Sequence, residues 1–120
     1  MSLLDTPLLN VLGRALDLTA QRQELVSQNI ANVDTPGYHA RDIDFSQELQ
    51  RALAGDDETA RTPVVRNVPG LIERPDGNDV NIDREGLLMA QNQLQFQTEV
   101  AVLRSEFSRL QLAISGGNSQ

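Results

Sequence analysis

The chain has no cysteine, no tryptophan and no lysine among its 120 residues. The absence of cysteine excludes disulfides and thiolate metal sites, so an oxidising and a reducing compartment would suit the chain equally. Aromatic residues make up only 3%, which is little for the core and pocket of a compact enzyme. The abundant leucine, alanine, glutamine, glutamate and arginine instead favour long helices packed through aliphatic side chains.

Basic side chains are scarce as well, because ten arginines stand against 17 acidic residues and leave a formal net charge of −7. Nucleic-acid affinity rests on basic contacts to phosphate, so we expect no nucleic-acid binding. No apolar run reaches the roughly 18 residues of a membrane span, so we expect no direct membrane insertion. The first residues lack the basic and apolar regions of a cleaved secretory signal, which predicts a cytoplasmic chain or one exported by another route.

The prolines interrupt the middle of the chain and leave two ends that can each form a long helix. They are Pro7, Pro36, Pro63, Pro69 and Pro75. Within one domain overall, we assign residues 1–35 to an N-terminal helix and residues 81–120 to a C-terminal helix. Residues 36–80 between them are assigned to a turn, short strands and a mobile loop.

The N-terminal segment carries a stripe in alternating steps of three and four residues, the spacing of a helical seam. Thr19 and Gln23 weaken it in the centre, and a second strip beside it makes the apolar face wide enough for more than one neighbour. One helix of a small bundle would explain the spacing as well. The stripe consists of Leu9, Leu12, Leu16, Thr19, Gln23, Val26, Ile30 and Val33.

The C-terminal segment keeps the same alternation more cleanly. Asn81 or Asp83 would cap its start, and Gly116 with Gly117 would mark its end. Gly86 weakens the first turns by about 1 kcal/mol relative to alanine. The stripe consists of Met89, Gln93, Phe96, Val100, Leu103, Phe107, Leu110 and Ile114.

Two helices of this length, each about 45 Å, exceed the compact diameter of such a chain, which is under about 40 Å. The sequence therefore predicts a mainly α fold: an elongated, antiparallel, coiled-coil-like pair of long N- and C-terminal helices around an irregular or weakly β middle. Such a pair has surplus apolar face and needs partners. An isolated subunit would be partly disordered.

The middle segment favours several short elements. They are a strand at 40–45, a helical turn at 45–53, a solvated loop at 54–59, a strand at 62–66 and a turn at 75–78. We expect this region to be the most mobile outside an assembly, and the sequence does not decide whether residues 46–80 are ordered.

Polar clusters of the middle segment do not fit catalytic or metal chemistry. Asp76, Asn78 and Asp83 suggest a calcium loop, but the ligand spacing of an EF-hand fails. The adjacent carboxylates of residues 56–58 lack the separate environments that acid–base pairs need. His39 is the only histidine and follows a turn, where a surface or packing role is favoured. We therefore predict no enzyme, no metal site and no cofactor.

One run of twelve residues, 27–38, has the chemistry of a helix end followed by a turn. Pro36 biases Thr35 toward extended geometry, and Pro36 with Gly37 suits the centre of a type II turn. The signature turn comprises Asn29, Ile30, Ala31, Asn32, Thr35, Pro36, Gly37 and Tyr38.

This block resembles the signature of the flagellar basal-body rod proteins, the axial family that builds the rod, hook and related junction segments. A second block at residues 77–85, continued by residues 91–97, resembles the stretch that opens the family's C-terminal helix. The short length and early first block are most similar to the proximal-rod members, although a sister proximal-rod protein shares that block. His39 and Gly86 depart from the family pattern, where a lysine and a larger apolar residue are usual.

The resemblance implies a structural subunit of the proximal rod, exported without a cleaved signal and assembled into a hollow rod that crosses the periplasm and transmits torque. Implied partners are other rod subunits, basal-body ring and export components, and further copies of the chain. Tyr38 would anchor a subunit contact. The alternative is an acidic coiled-coil adaptor or secretion chaperone of the cytoplasm. Expected packing residues are Leu9, Leu12, Leu16, Val26, Ile30, Phe96, Val100, Leu103, Phe107, Leu110 and Ile114.

Overall fold

The computed structural model describes residues 6–54 and 62–118. These residues form three helices and two short strands, and the predicted mainly α fold is confirmed. In chain order the elements are α1 (Pro7–Ala31), β1 (Arg41–Asp42), α2 (Phe45–Ala54), β2 (Arg66–Asn67) and α3 (Ile82–Asn118).

Helix α1 begins at a side-chain cap. The Leu9 backbone N–H donates to Thr6 Oγ1 at 3.2 Å, and Pro7 occupies the first turn, where its missing N–H costs nothing. The helix ends at Ala31 with Asn32 as its C-cap, so it stops before residue 35, the end of the segment that we assigned to it.

Helices α1 and α3 pack as the predicted antiparallel pair. Thr19 contacts Glu99, and Gln23 contacts Asn92, so positions rise along one helix as they fall along the other. At this pairing the last residues of α3 run past the described start of α1. The radius of gyration is 18.7 Å, against about 14 Å for a compact chain of this length, and the extents are 72 × 29 × 18 Å.

A cluster of buried apolar residues lies between α1 and the middle segment. Leu18 and Leu25 of α1 are buried with Ile43, and Phe45 and Leu49 pack against them from α2. This face of α1 is distinct from the face that meets α3. The central helix α1 therefore holds both α3 and the middle segment.

The middle segment contains two short strands: β1 lies within the strand predicted at 40–45, whereas β2 overlaps the strand predicted at 62–66 only at Arg66. Arg41 pairs with Asn67 and Asp42 with Arg66 in an antiparallel register. A bidentate ion pair fixes this sheet to α1, because Arg22 donates from Nε and Nη2 to the two carboxylate oxygens of Asp42, both at 2.9 Å. The predicted acidic loop, with the carboxylates of residues 56–58, lies mostly outside the described residues.

The start of α3 is capped by Asn81, as predicted: its Oδ1 accepts from the Arg84 backbone N–H at 3.1 Å. Gly86 does not interrupt the helix. The predicted end at Gly116 and Gly117 is wrong, because α3 continues through both. Glycine weakens a helix without preventing it, and neither position adopts a left-handed φ that would end it. Among the described helices, none has a stretch both long and apolar enough to cross a bilayer.

Candidate functional site

The first candidate feature is the turn that follows α1. The Tyr38 backbone N–H donates to the Thr35 carbonyl at 3.2 Å, which places Pro36 and Gly37 at the centre. Gly37 has φ of +74°, the left-handed value that the third residue of a type II turn requires. The predicted type II turn is therefore confirmed.

Gly37→Ala is expected to destabilise the protein by about 1–2 kcal/mol, because a side chain at a positive φ strains the backbone. Gly13→Ala provides the matched control, since Gly13 lies in α1 with nothing within 4 Å of an added Cβ. That change should stabilise by about 0.5–1 kcal/mol. Urea unfolding measures both effects, and equal shifts in the two variants would contradict the strain argument.

The second block begins with another tight turn, at residues 74–77. The Gly77 N–H donates to the Arg74 carbonyl, and the Arg74 N–H to the Asn78 carbonyl, both at 2.8 Å. Pro75 takes the second position, and Gly77 has φ of +81°. This is the pattern of a type I turn followed by a left-handed bulge residue, which confirms the turn predicted at Pro75.

Asn78 joins the two blocks. Its side chain is fully buried, and its Nδ2 donates to the carbonyls of Asn32 at 2.9 Å and Thr35 at 2.8 Å. Its Oδ1 accepts from the Val80 N–H at 2.8 Å. Carbonyls after a helix end lack intrahelical partners, so Asn78 supplies a cap to α1 from 46 positions further along the chain.

Backbone contacts complete this junction, which we call the clamp and define as residues 29–40 with residues 74–80. Gly37 N–H donates to the Asp76 carbonyl at 2.9 Å, and Asp79 N–H to the Tyr38 carbonyl at 3.2 Å. A Cβ on Gly77 would lie 3.4 Å from Gly37 Cα, so the two turns pack backbone against backbone. The Arg74 guanidinium donates to the Val80 carbonyl at 2.9 Å.

Asp79 is the other buried anchor of the clamp. Its Oδ1 accepts from the Ala40 N–H at 2.7 Å, and its Oδ2 lies 3.1 Å from His39 Nδ1. The carboxylate of Glu73 is 3.8 Å from the same ring nitrogen. His39 thus bridges the two blocks, which agrees with the packing role expected from the sequence.

Asn29, the first signature residue, is 1% exposed, and its side-chain amide pairs with the backbone of Arg41 as a neighbouring strand would. Its Oδ1 accepts from the Arg41 N–H at 3.0 Å, and its Nδ2 donates to the Arg41 carbonyl at 3.0 Å. Tyr38 donates its hydroxyl to the same Oδ1 at 3.1 Å. The hydroxyl of Tyr38 is therefore hydrogen-bonded within the chain, and its ring is half-buried. The contact of Tyr38 with a neighbouring subunit stays a prediction.

Glu85 lies beneath the clamp in the first turn of α3 and is fully buried. Its Oε1 accepts from Arg84 Nη1 at 3.0 Å, and its Oε2 has no hydrogen-bond partner among the described residues. Burial raises the pKa of Glu85. The nearby Asn29 amide and the Arg84 cation oppose this effect, and the Asp42 carboxylate adds to it.

Glu85→Gln is expected to change how stability depends on pH. Because the folded-state pKa is raised above the ordinary 4.5, the unfolded chain loses its proton first. The stability that Glu85 contributes to wild type is therefore fully present below pH 4.5, and it is lost as pH rises through the pKa of the folded state. Glutamine cannot ionise, so urea unfolding from pH 4 to 8 should show wild type losing stability relative to Glu85→Gln as pH rises. Parallel curves would refute this.

The α1–α3 interface is polar at its centre. Thr19 Oγ1 lies 2.9 and 3.0 Å from the two carboxylate oxygens of Glu99, and Gln95 Nε2 donates to one of them at 3.0 Å. Asn92 Nδ2 donates to Gln23 Oε1 at 3.2 Å. Glu85, Asn92 and Glu99 are all buried and recur every seven residues, a polar heptad that hydrophobicity patterns miss.

The expected packing residues divide between covered and uncovered positions. On α1, three are buried and two half-buried; on α3, Val100, Leu103 and Leu110 are half-buried. We call Phe96, Phe107 and Ile114 the outer stripe, because they remain 44–45% exposed. The polar heptad therefore lies on the face of α3 that contacts α1, and the outer stripe lies next to that face. The α1 residues are Leu9, Leu12 and Val26 (buried) and Leu16 and Ile30 (half-buried).

The polar side chains of the clamp are engaged in hydrogen bonds to caps and turns. Within residues 6–54 and 62–118, no three His, Asp or Glu side chains are grouped to hold a metal ion. Asn78 is one of the three candidate calcium ligands, but both polar atoms of its side-chain amide are hydrogen-bonded to backbone groups. The clamp is a set of caps and turns that fixes where two helices end and begin.

Comparison with known proteins gives a consistent result. The family model described as flagella basal body rod protein matches residues 9–39, which include most of α1 and the signature turn. Flagellar basal body rod protein FlgB of Salmonella typhimurium is 39% identical over 124 aligned positions, covering 87% of this chain and 90% of that protein. The proteins of the same name are 36% identical in Escherichia coli K12, over 87% of this chain and 90% of that protein, and 38% identical in Cereibacter sphaeroides, over 90% and 94%.

Proposed function

The chain belongs to the family of flagellar basal-body rod proteins and is a structural subunit of the rod, and we propose that it is a proximal-rod subunit that self-assembles through its terminal helices. The FlgB name of its relatives supports this choice over a sister proximal-rod protein. Within the rod, we propose contacts with other axial subunits and with basal-body ring and export components.

The observation that supports helix-mediated assembly is the uncovered outer stripe. Phe96, Phe107 and Ile114 lie along the 37-residue α3, beside the face that packs on α1, and each remains 44–45% exposed. Fully burying such a side chain contributes about 1.5–3 kcal/mol, and at 44–45% exposure roughly half of that remains to be gained. A neighbour that covers all three would therefore supply a substantial part of the free energy of association.

The clamp supports a second element of the proposal. It holds the end of α1 against the start of α3, so the two helices enter an assembly at a set angle and the chain leaves α1 in one direction. Asn78 and Asp79 tie this corner through four hydrogen bonds to backbone groups of residues 32–40 and 80, and one contact to His39. We propose that this rigid corner lets the subunit transmit torque instead of bending.

We propose that the chain leaves the cytoplasm without a cleaved signal and becomes part of the hollow, periplasm-spanning rod. No catalytic role, cofactor or nucleic-acid partner is proposed. The alternative, an acidic cytoplasmic adaptor or secretion chaperone, finds no support in the names of the relatives.

Electron microscopy of purified basal bodies that carry an epitope-tagged chain tests this proposal. We expect label in the rod at its membrane-proximal end. A stable cytoplasmic complex, with the chain absent from purified basal bodies, would favour the adaptor and contradict the proposal.

A further inference from the structure

A groove runs between α1 and α3 beside the polar heptad. It holds about 540 Å³ and is lined from α1 by Thr19, Ala20 and Gln23 and from α3 by Gln93, Phe96 and Gln97. We call it the amide groove, because glutamine side chains line both of its walls. Amide oxygens accept hydrogen bonds, so the groove suits a group rich in donors.

The charges around the amide groove have one sign. Glu99 lies behind Thr19, is only 8% exposed, and accepts hydrogen bonds from the neutral side chains of Thr19 and Gln95. Asp17 and Glu24 are the exposed charged residues three before and four after Ala20 on α1. Arg22 points elsewhere, because its Nε and Nη2 both donate to Asp42. A cleft with charges of one sign attracts the opposite sign.

Phe96 adds a surface that selects the type of cation. It lines the groove and is 45% exposed, so a planar cation can stack on its ring. Guanidinium has five donors in a flat fork, which match the amide oxygens of Gln23, Gln93 and Gln97 better than a compact ammonium would. The groove therefore fits an arginine side chain.

We propose that the amide groove receives an arginine side chain from α3 of a second copy of this chain. The inference rests on the self-association in the proposed function. Every basic residue of the chain is arginine, so a second copy can offer only guanidinium. Arg104 and Arg109 of α3, three residues before and two after Phe107, are exposed, and the side chain of Arg109 is 78% exposed with a 3.7 Å contact to Glu106. Two copies with a net charge of −7 each repel overall, so a local opposite-charge contact also sets their register.

Sedimentation velocity over a wide range of concentrations tests the contact. The double variant Arg104→Glu/Arg109→Glu should self-associate at least about tenfold more weakly than wild type. Gln97→Arg should also weaken self-association, because it places a like charge in the path of the incoming arginine. A mixture of the two variants should recover affinity, since each supplies the complement of the other.

The matched control is Arg41→Glu/Arg66→Glu, which makes the same change in net charge at exposed positions on the two strands. Circular dichroism should show unchanged helicity in every variant. Unchanged affinity in both groove variants, an equal loss in the control, or a wild type that stays monomeric would each overturn the inference. Any of these results with the chain still located in basal bodies would leave the rod assignment standing.

Discussion

Replacing Phe107 by aspartate is expected to abolish rod assembly and motility while the chain stays folded. Phe107 is 44% exposed, so the change removes little from the subunit itself. In an assembly that covers the outer stripe, it removes the burial of the remaining exposed part of the ring, about 1 kcal/mol, and adds the cost of desolvating an unpaired carboxylate, which is several kcal/mol. Swimming assays, electron microscopy of basal bodies and circular dichroism measure the three parts of this expectation.

Ser108→Asp is the matched control, because it adds the same charge at the next, exposed position. It should leave motility near wild type. Leu103→Asp, at a half-buried position, should also block assembly, though with some loss of subunit stability. Export of all three variants should continue. Normal motility with Phe107→Asp would count decisively against assembly through the outer stripe.

The second large effect is expected at the clamp. Asn78→Ala should lower the free energy of unfolding by about 2–4 kcal/mol, because it deletes three hydrogen bonds at a fully buried position and leaves the Asn32 and Thr35 carbonyls without that cap. That is a large part of the about 5–15 kcal/mol that stabilises a typical domain.

Urea unfolding checks this value, with Asn67→Ala as the control. Asn67 is exposed in β2, so its replacement should change stability by no more than about 0.5 kcal/mol. If the two asparagine variants unfold at the same urea concentration, Asn78 does not hold the clamp together. A folded Asn78→Ala chain that still supports motility would show that the corner is not needed for rod function.

Features that depend on neighbouring residues could be predicted from the sequence. Pro36 and Gly37 restrict their own backbone, so the type II turn followed from two residues. Asn81 capped α3 because its side chain reaches only three positions along the chain. The elongated helix pair followed from the length and spacing of the two stripes.

Features that depend on distant residues could not be predicted in the same way. Hydrophobic spacing locates an apolar stripe on α3, but it does not say which face of the helix meets α1. That face is decided by partners such as Thr19 and Glu99, which are 80 positions apart. No local rule connects Asn78 with the end of α1, because its partners Asn32 and Thr35 lie more than 40 positions away. Glu85, Asn92 and Glu99 recur every seven residues, and this spacing is the sequence signal that could have identified the face of α3 buried against α1.

The unequal lengths of the two long helices have a mechanical consequence. Helix α3 has 37 residues against 25 in α1, and its last turns, with Leu112 and Ile114 exposed, run past the described start of α1. In the proposed rod, subunits of this shape stacked end to end would overlap along the projecting part of α3. A twisting load would then be distributed as shear along the overlapped helices.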